Sequence, residues 1–474
     1  MTTPRLDLRQ GTQRTFAHLL VSTLTVSVVN FTMWFAVTFW VYVETRSVMA
    51  TGLIAGVFLA TTSLTGIWFG SIVDRFRKRS VMQASAAVSA SVYLACLVVY
   101  LTTPAEEFRD PASPVLWAFV VALMLGVITG NLRTISLPTL VTLLVPAGVR
   151  DRANGLVGTA TGVSFLVTSV VSGLLVAFDG MRSALLLGIV TLGASMLHLA
   201  RVSVPEPHRE TAGRTRHGVD LRGTLRVVGA VPGLPALIVF SCVNNLLGGV
   251  FMALMDPYGL TLMSVQAWGL LWGGLSCGVI VGGLLVARTG LGSRPVRTLL
   301  LVNGVLWTTT MLFPLQASIV LLTAGMAVFM LLMPFAEAAE QTVLQRVVPY
   351  ERQGRVFGFA QSVEQAASPL TAFLLAPITE LVVVPFMTDG AGARAIGGWF
   401  GTGTDRAIAL VFVVTGLLGL LATLAALASR PYRRLSAAYR TAPAEQPTVP
   451  DAGDREPERS LAGCAPEPGG VACP

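Results

Sequence analysis

The sequence predicts an all-α membrane protein with twelve transmembrane helices in two six-helix pseudo-repeat bundles around a central cavity. Three observations predict it. Of the 474 residues, 53% are hydrophobic and only 12% charged, roughly half the charged share of an ordinary soluble domain. Apolar runs long enough to cross a bilayer recur twelve times. The arginines between those runs cluster in alternate connections, the asymmetry that orients membrane proteins.

No soluble core could hide this much apolar surface, because a folded exterior must stay largely polar; the mean hydropathy is +0.70. A spanning helix needs about 20 mostly apolar residues. Runs that meet this fall near 16–43, 48–72, 80–102, 115–142, 153–177, 182–200, 234–256, 265–287, 297–313, 317–343, 355–379 and 405–428. The first is too long for a cleaved signal peptide and is expected to be retained. A short segment, 1–15, precedes it. A polar linker, 201–233, separates the bundles 16–200 and 234–428. A Gly-rich loop is read at 383–404. The tail 429–474 is expected to be disordered, since its Pro, Glu, Gly and Ala cannot bury enough apolar area to fold.

The net charge is +8, but the cations form no single face, so a nucleic-acid partner is not expected. They sit before the first span (Arg5, Arg9, Arg14), after the second (Arg75, Arg77, Lys78, Arg79) and after the fourth (Arg150, Arg152). They recur in the linker and after the eighth, tenth and twelfth spans. An even span count puts all of them on one side, with both termini cytoplasmic. Lys78 is the sole lysine in an Arg-, Ala-, Gly- and Val-rich chain, which suggests a GC-rich bacterial genome and hence the bacterial inner membrane. The five cysteines have no C-x-x-C spacing, so neither a metal site nor a disulfide framework is indicated, and no cofactor is expected.

The halves repeat. Gly70 and Arg75 after the second span match Gly283 and Arg288 after the eighth at one offset. Val145-Pro146, Arg152 and Gly155 match Val348-Pro349, Arg355 and Gly358 at another. Repeats of this kind recur in transporters that rock one half against the other around a midplane site.

Gly70-x-x-x-Asp74-Arg75-x-Arg77-Lys78-Arg79 resembles the signature loop of the major facilitator superfamily, with Arg77 where that family usually has a second Gly. Val145-Pro146 and Arg152-Ala153-Asn154-Gly155, on to Gly173, resemble the macrolide-efflux branch of the drug:proton antiporters. The resemblance covers about 16–428. In the fifth helix Thr168-Ser169 stands where that antiporter motif has Gly-Pro, and Ser368-Pro369 appears in the eleventh. The resemblance implies that Gly70, Asp74, Arg75 and Arg288 act as a cytoplasmic gate. Physically, Gly70 permits close helix approach. Asp74 can accept charge-assisted hydrogen bonds from Arg75 or from an arginine of the opposite half. Positive-inside anchoring is the other role open to the arginines. Ala287 stands where a second acid would be, so any latch there needs other partners.

Ionisable groups at membrane depth are costly and mark function by default. Arg133 lies in the fourth span, Glu337 and Glu340 in the tenth, and Glu364 in the eleventh. A carboxylate in a low dielectric is costly to keep charged, so it is expected to load and release a proton near neutral pH. These four are the candidates for proton coupling. Arg133 also resembles the fourth-helix arginine that the family links to coupling. An interhelical ion pair or a snorkelling side chain is the alternative for Arg133, and hydrogen bonding across helices for Glu340 and Glu364. The repeat alignment puts Arg133 and Glu337 in near-equivalent places, both able to face the cavity. The candidate substrate cavity takes Asn30, Trp34 and Thr38 from the first helix, Asn244 and Asn245 from the seventh, and Trp268 and Trp272 from the eighth. Aromatic walls with a few polar groups suit a lipophilic compound, although interfacial tryptophans are common.

The expected function is proton-coupled export of small lipophilic compounds, with the bilayer, the substrate and protons as partners and a monomer sufficing. Export of an endogenous metabolite such as a siderophore or lipid is the alternative transporter reading. A non-transporting receptor or membrane enzyme is the alternative of another class. Four histidines without a spaced nucleophile, and the lack of Gly-x-x-x-x-Gly-Lys-Ser/Thr, argue against an enzyme or an ATP-driven pump.

Overall fold

The computed structural model describes residues 6–45, 48–206 and 220–442. Twelve long helices organise them: α1 (Gly11–Thr45), α2 (Val48–Arg75), α3 (Lys78–Thr102), α4 (Pro114–Leu144), α5 (Arg150–Asp179), α6 (Met181–Arg201), α7 (Leu234–Leu262), α8 (Val265–Thr289), α9 (Pro295–Leu312), α10 (Ile319–Val347), α11 (Gln353–Ile378) and α12 (Thr404–Ala428). Nine are long and apolar enough to cross a membrane on composition alone; α5, α9 and α11 complete the set. The described residues contain no strand. That suits a bilayer, where each backbone N–H must be paired within its own segment.

α4 is hinged. Helix stops at Thr129 and restarts at Asn131. A Cβ on Gly130 would run into the Asn30 amide of α1, so the glycine opens room for that amide inside the first bundle.

Short helices occupy three regions read as irregular. The polar linker contains the helix Leu221–Ala230, N-capped by Asp220, whose carboxylate accepts from Gly223 N at 2.8 Å. It buries Thr224 and Val228 and exposes Arg222 and Arg226. The Gly-rich loop holds the helix Ala391–Phe400. The tail reading is corrected over its first part. Arg430–Thr441 is helical, capped by Ser429 accepting from Tyr432 N at 3.2 Å. Tyr432, Leu435 and Tyr439 lie on one face at helical spacing and pack into the core beside Leu234. High arginine content hid that stripe. Residues 207–219 of the linker and 443–474 of the tail lie outside the described residues.

Where the core joins the halves is decisive for the site. Near the acidic-loop end, one apolar cluster is built only from α1 to α6 and their loops, around Trp40, Tyr93 and Phe119. A second is built only from the other half, around Tyr258, Phe313 and Phe412. At the opposite, basic end a single cluster mixes Val73, Val81 and Ile135 with Leu237, Val343 and Val356. The halves therefore share a core at the basic end and keep separate cores at the other. Their main contacts are α2 against α11 and α5 against α8.

Candidate functional site: an apolar cavity behind a closed latch

The latch is set by glycines and one acid. A Cβ on Gly70 would collide with the Gly354 carbonyl, and one on Gly358 with the Gly66 carbonyl. Across the other joint, Gly155 meets Val286 and Ala287, and Gly283 meets Thr159. The four glycines picked out by the repeat are thus the points where the halves touch backbone to backbone.

Close approach brings Asp74 onto the N-terminus of α11. Its carboxylate accepts from Gly354 N at 2.7 Å and Arg355 N at 3.0 Å. Arg355 Nε lies 3.7 Å away. Backbone N–H groups at a helix start have no intrahelical partner, so an anion there is doubly favourable. Of the two kinds of donor expected for Asp74, the structure shows one from the opposite half. The opposite-half partner is Arg355, whereas Arg75 and Arg288 are exposed at the surface. The second joint uses a different acid. Asp151, at the start of α5, accepts from Leu291 N at 2.7 Å. The loss of acid at Ala287 is thus met from the partner helix.

Between these joints an amide pair crosses the halves. Asn154 Nδ2 donates to Gln345 Oε1 at 3.0 Å, and Gln345 Nε2 donates back to Asn154 Oδ1 at 3.1 Å. Asn154 also donates to Thr342 Oγ1 at 2.9 Å. All these groups sit at the basic end, which is closed.

Above the latch, within the second half, lies a cavity of about 410 Å³ lined from α7, α8, α9, α10 and α11. Met326, Met330, Met333, Glu337 and Glu340 follow one another along one face of α10, at spacings of three and four. Phe251, Phe329, Trp272 and Trp307 supply aromatic wall. The asparagines are held in place: Asn244 Oδ1 accepts from Trp307 Nε1 at 2.7 Å, and Asn245 O accepts from Ser368 Oγ at 2.7 Å. Glu337 is exposed to the cavity. Glu340 accepts from Ser241 Oγ at 2.5 Å. Glu364, on α11, buries its Oε1 without a hydrogen-bond partner among the described residues.

The structure thus brings together Asn244, Asn245, Trp272, Glu337 and Glu340, with Glu364 behind them. It does not bring the other candidates. Asn30 faces the first-bundle interior, with Tyr93 Oη 3.4 Å from its Oδ1. Trp34 stacks on Phe58 with ring centroids 5.3 Å apart. Thr38 donates to Trp34 O at 2.8 Å. Trp268 packs on Gly259 and donates to Asp256 Oδ1 at 2.9 Å; it supports Trp272 from outside. Arg133 is 1% exposed and donates to Ser22 Oγ at 3.1 Å and Met82 O at 3.0 Å. It ties α1, α3 and α4 together and does not meet Glu337 across a cavity. Asn303, Trp307 and the methionine face went unread in the sequence. The spacing of Met326, Met330 and Met333 against Glu337 and Glu340 was the available signal.

The Major Facilitator Superfamily profile matches residues 19–372. The chain belongs to the major facilitator superfamily. Its members are transporters, and this chain is a multi-pass membrane transporter rather than an enzyme. Macrolide efflux protein A of Streptococcus pyogenes is 21% identical over 361 residues, covering 74% of this chain and 85% of that protein. Among solved folds, the proton:xylose symporter XylE aligns at TM-score 0.63 and 13% identity, over 88% of this chain and 96% of that one. A bacterial homologue of the iron transporter ferroportin, in an outward-facing state, aligns at 0.59 and 15%, over 87% and 98%. The human organic anion transporter MFSD10 aligns at 0.57 and 14%, over 88% and 100%. At such identities these structures establish the superfamily fold alone.

Proposed function

We propose that this transporter exports small lipophilic compounds in exchange for protons, by alternating access. The observation that carries the reading is the cavity: an apolar, methionine- and aromatic-lined space with Glu337 and Glu340 on its wall. Apolar walls with few fixed polar groups favour partition of lipophilic molecules over recognition of sugars. Methionine side chains adapt to varied shapes. The name of the streptococcal relative, a macrolide efflux protein, supports the same substrate class.

The basic end is the cytoplasmic one by the positive-inside rule, in a bacterial inner membrane with both termini inside. The conformer then has its cytoplasmic side latched by Asp74, Asp151 and the Asn154–Gln345 pair. Segments 16–200 and 234–428 act as the rocking halves, and one copy suffices. A compound bound at Glu337 and a proton on the same carboxylate exclude each other, which couples export to proton entry.

The test is efflux of a lipophilic dye from cells expressing the protein. A protonophore abolishes efflux, and Glu337→Gln does the same without lowering the amount of protein. Efflux that persists with the protonophore would falsify proton coupling.

A further inference from the structure

A second cavity, of about 320 Å³, opens at the basic end, between the N-terminus of α9 and the terminal helix Arg430–Thr441. Arg294, the N-cap residue of α9, forms one wall. Arg433 and Arg440, two turns apart on the terminal helix, form the other. Tyr432, Ser436 and Tyr439 complete the lining. Arg440 Nε donates to Ser436 O at 3.2 Å, which holds that guanidinium along the helix. Among the described residues no carboxylate forms an ion pair with any of the three arginines. Asp151, which lies near Tyr439, is already bonded to the backbone N–H groups of Arg152 and Leu291.

Arg294, Arg433 and Arg440 are solvent-exposed around one open cleft, and three cations so placed repel each other unless an anion joins them. Guanidinium forks and tyrosine and serine hydroxyls together match a phosphate group. The start of α9 adds the positive end of its dipole. Position selects the source. The terminal helix begins directly after α12 ends at Ala428, and it packs on the basic ends of α7, α9, α10 and α12. That places the cavity where phospholipid headgroups lie. Basic pockets between helices on this side of a membrane hold anionic headgroups.

We propose that this pocket binds the phosphate of an anionic phospholipid, and that the bound headgroup fastens the terminal helix to α9. The proposal is independent of what the transport cavity carries.

Full-length protein in detergent is incubated with equal amounts of phosphatidylglycerol and phosphatidylcholine, and retained lipid is counted by native mass spectrometry. The wild type retains phosphatidylglycerol in preference by at least about fivefold, the worth of one arginine near an anionic surface. The combined variant Arg294→Gln, Arg433→Gln, Arg440→Gln loses that preference. A charge-matched control, Arg222→Gln, Arg226→Gln, Arg434→Gln, keeps it. Ser436→Trp fills the cavity with all arginines in place and also loses it, which guards against a triple variant that does not fold. Equal loss in the pocket and control variants, or full preference in Ser436→Trp, overturns the site. Excess inorganic phosphate is the second arm, and it displaces the lipid if the phosphate group is what is recognised. Phosphate that raises the melting temperature of the wild type but not of the pocket variant, with no lipid retained, overturns the lipid and assigns the pocket to a soluble phosphate.

Discussion

Asp74→Asn isolates the latch. In the closed conformer the carboxylate accepts two backbone bonds, at 2.7 and 3.0 Å, from the start of α11. A hydrogen bond to a charged group contributes about 1.5–3 kcal/mol. Asparagine keeps one acceptor but turns an NH2 toward the other N–H, so one charged bond is lost and the second weakened. The Arg355 contact at 3.7 Å is partly exposed and adds at most about 1 kcal/mol. A total near 3 kcal/mol shifts the closed-to-open ratio by roughly 150-fold. These bonds exist only with the basic end closed, so the loss falls on the conformational equilibrium rather than on the fold. Spin labels at Phe76 and Arg352, both exposed and on opposite sides of the joint, report it by pulsed electron resonance. The variant gains a longer-distance population while its melting temperature changes by only a few degrees. An unchanged distance distribution would refute the latch.

Gly70→Val places side-chain atoms where the Gly354 carbonyl sits; overpacking of about 1–3 kcal/mol opens the basic end, read with the same labels. Met330→Trp fills the cavity and lowers affinity for a lipophilic dye by roughly tenfold or more, measured by fluorescence quenching; unchanged affinity would place the substrate elsewhere. Glu337→Gln retains dye binding but removes its pH dependence, whereas Ser241→Ala, which deletes the 2.5 Å bond to Glu340, shifts that dependence without abolishing it. Arg133→Met leaves dye affinity within about twofold while lowering stability by about 1–3 kcal/mol, because Ser22 and Met82 lose their donor; a large affinity loss would show that Arg133 reaches the site.

The reach of the sequence can be read residue by residue. Span number, the even count and the repeat follow from chain-local properties: about 20 apolar residues per crossing, arginines in alternate loops, and equal offsets from Gly70 and Gly155. Glu337, Glu340 and Glu364 stood out because a charge inside an apolar run is conspicuous wherever it points. The first-helix and arginine assignments depended on which way helices turn, and α1 turns Asn30 toward Gly130 and away from the cavity. No pattern in the second span names Arg355 as the partner of Asp74, because the contact joins residues far apart in the chain through a glycine-lined approach. The terminal helix was masked by its arginines, and only packing of Leu435 beside Leu234 revealed it. Membrane insertion is paid residue by residue along the chain, so the sequence determined the twelve helices by itself. The latch, the one-sided cavity and the arginine pocket depend on helix rotation and on contacts between distant segments, so only the tertiary structure decided them.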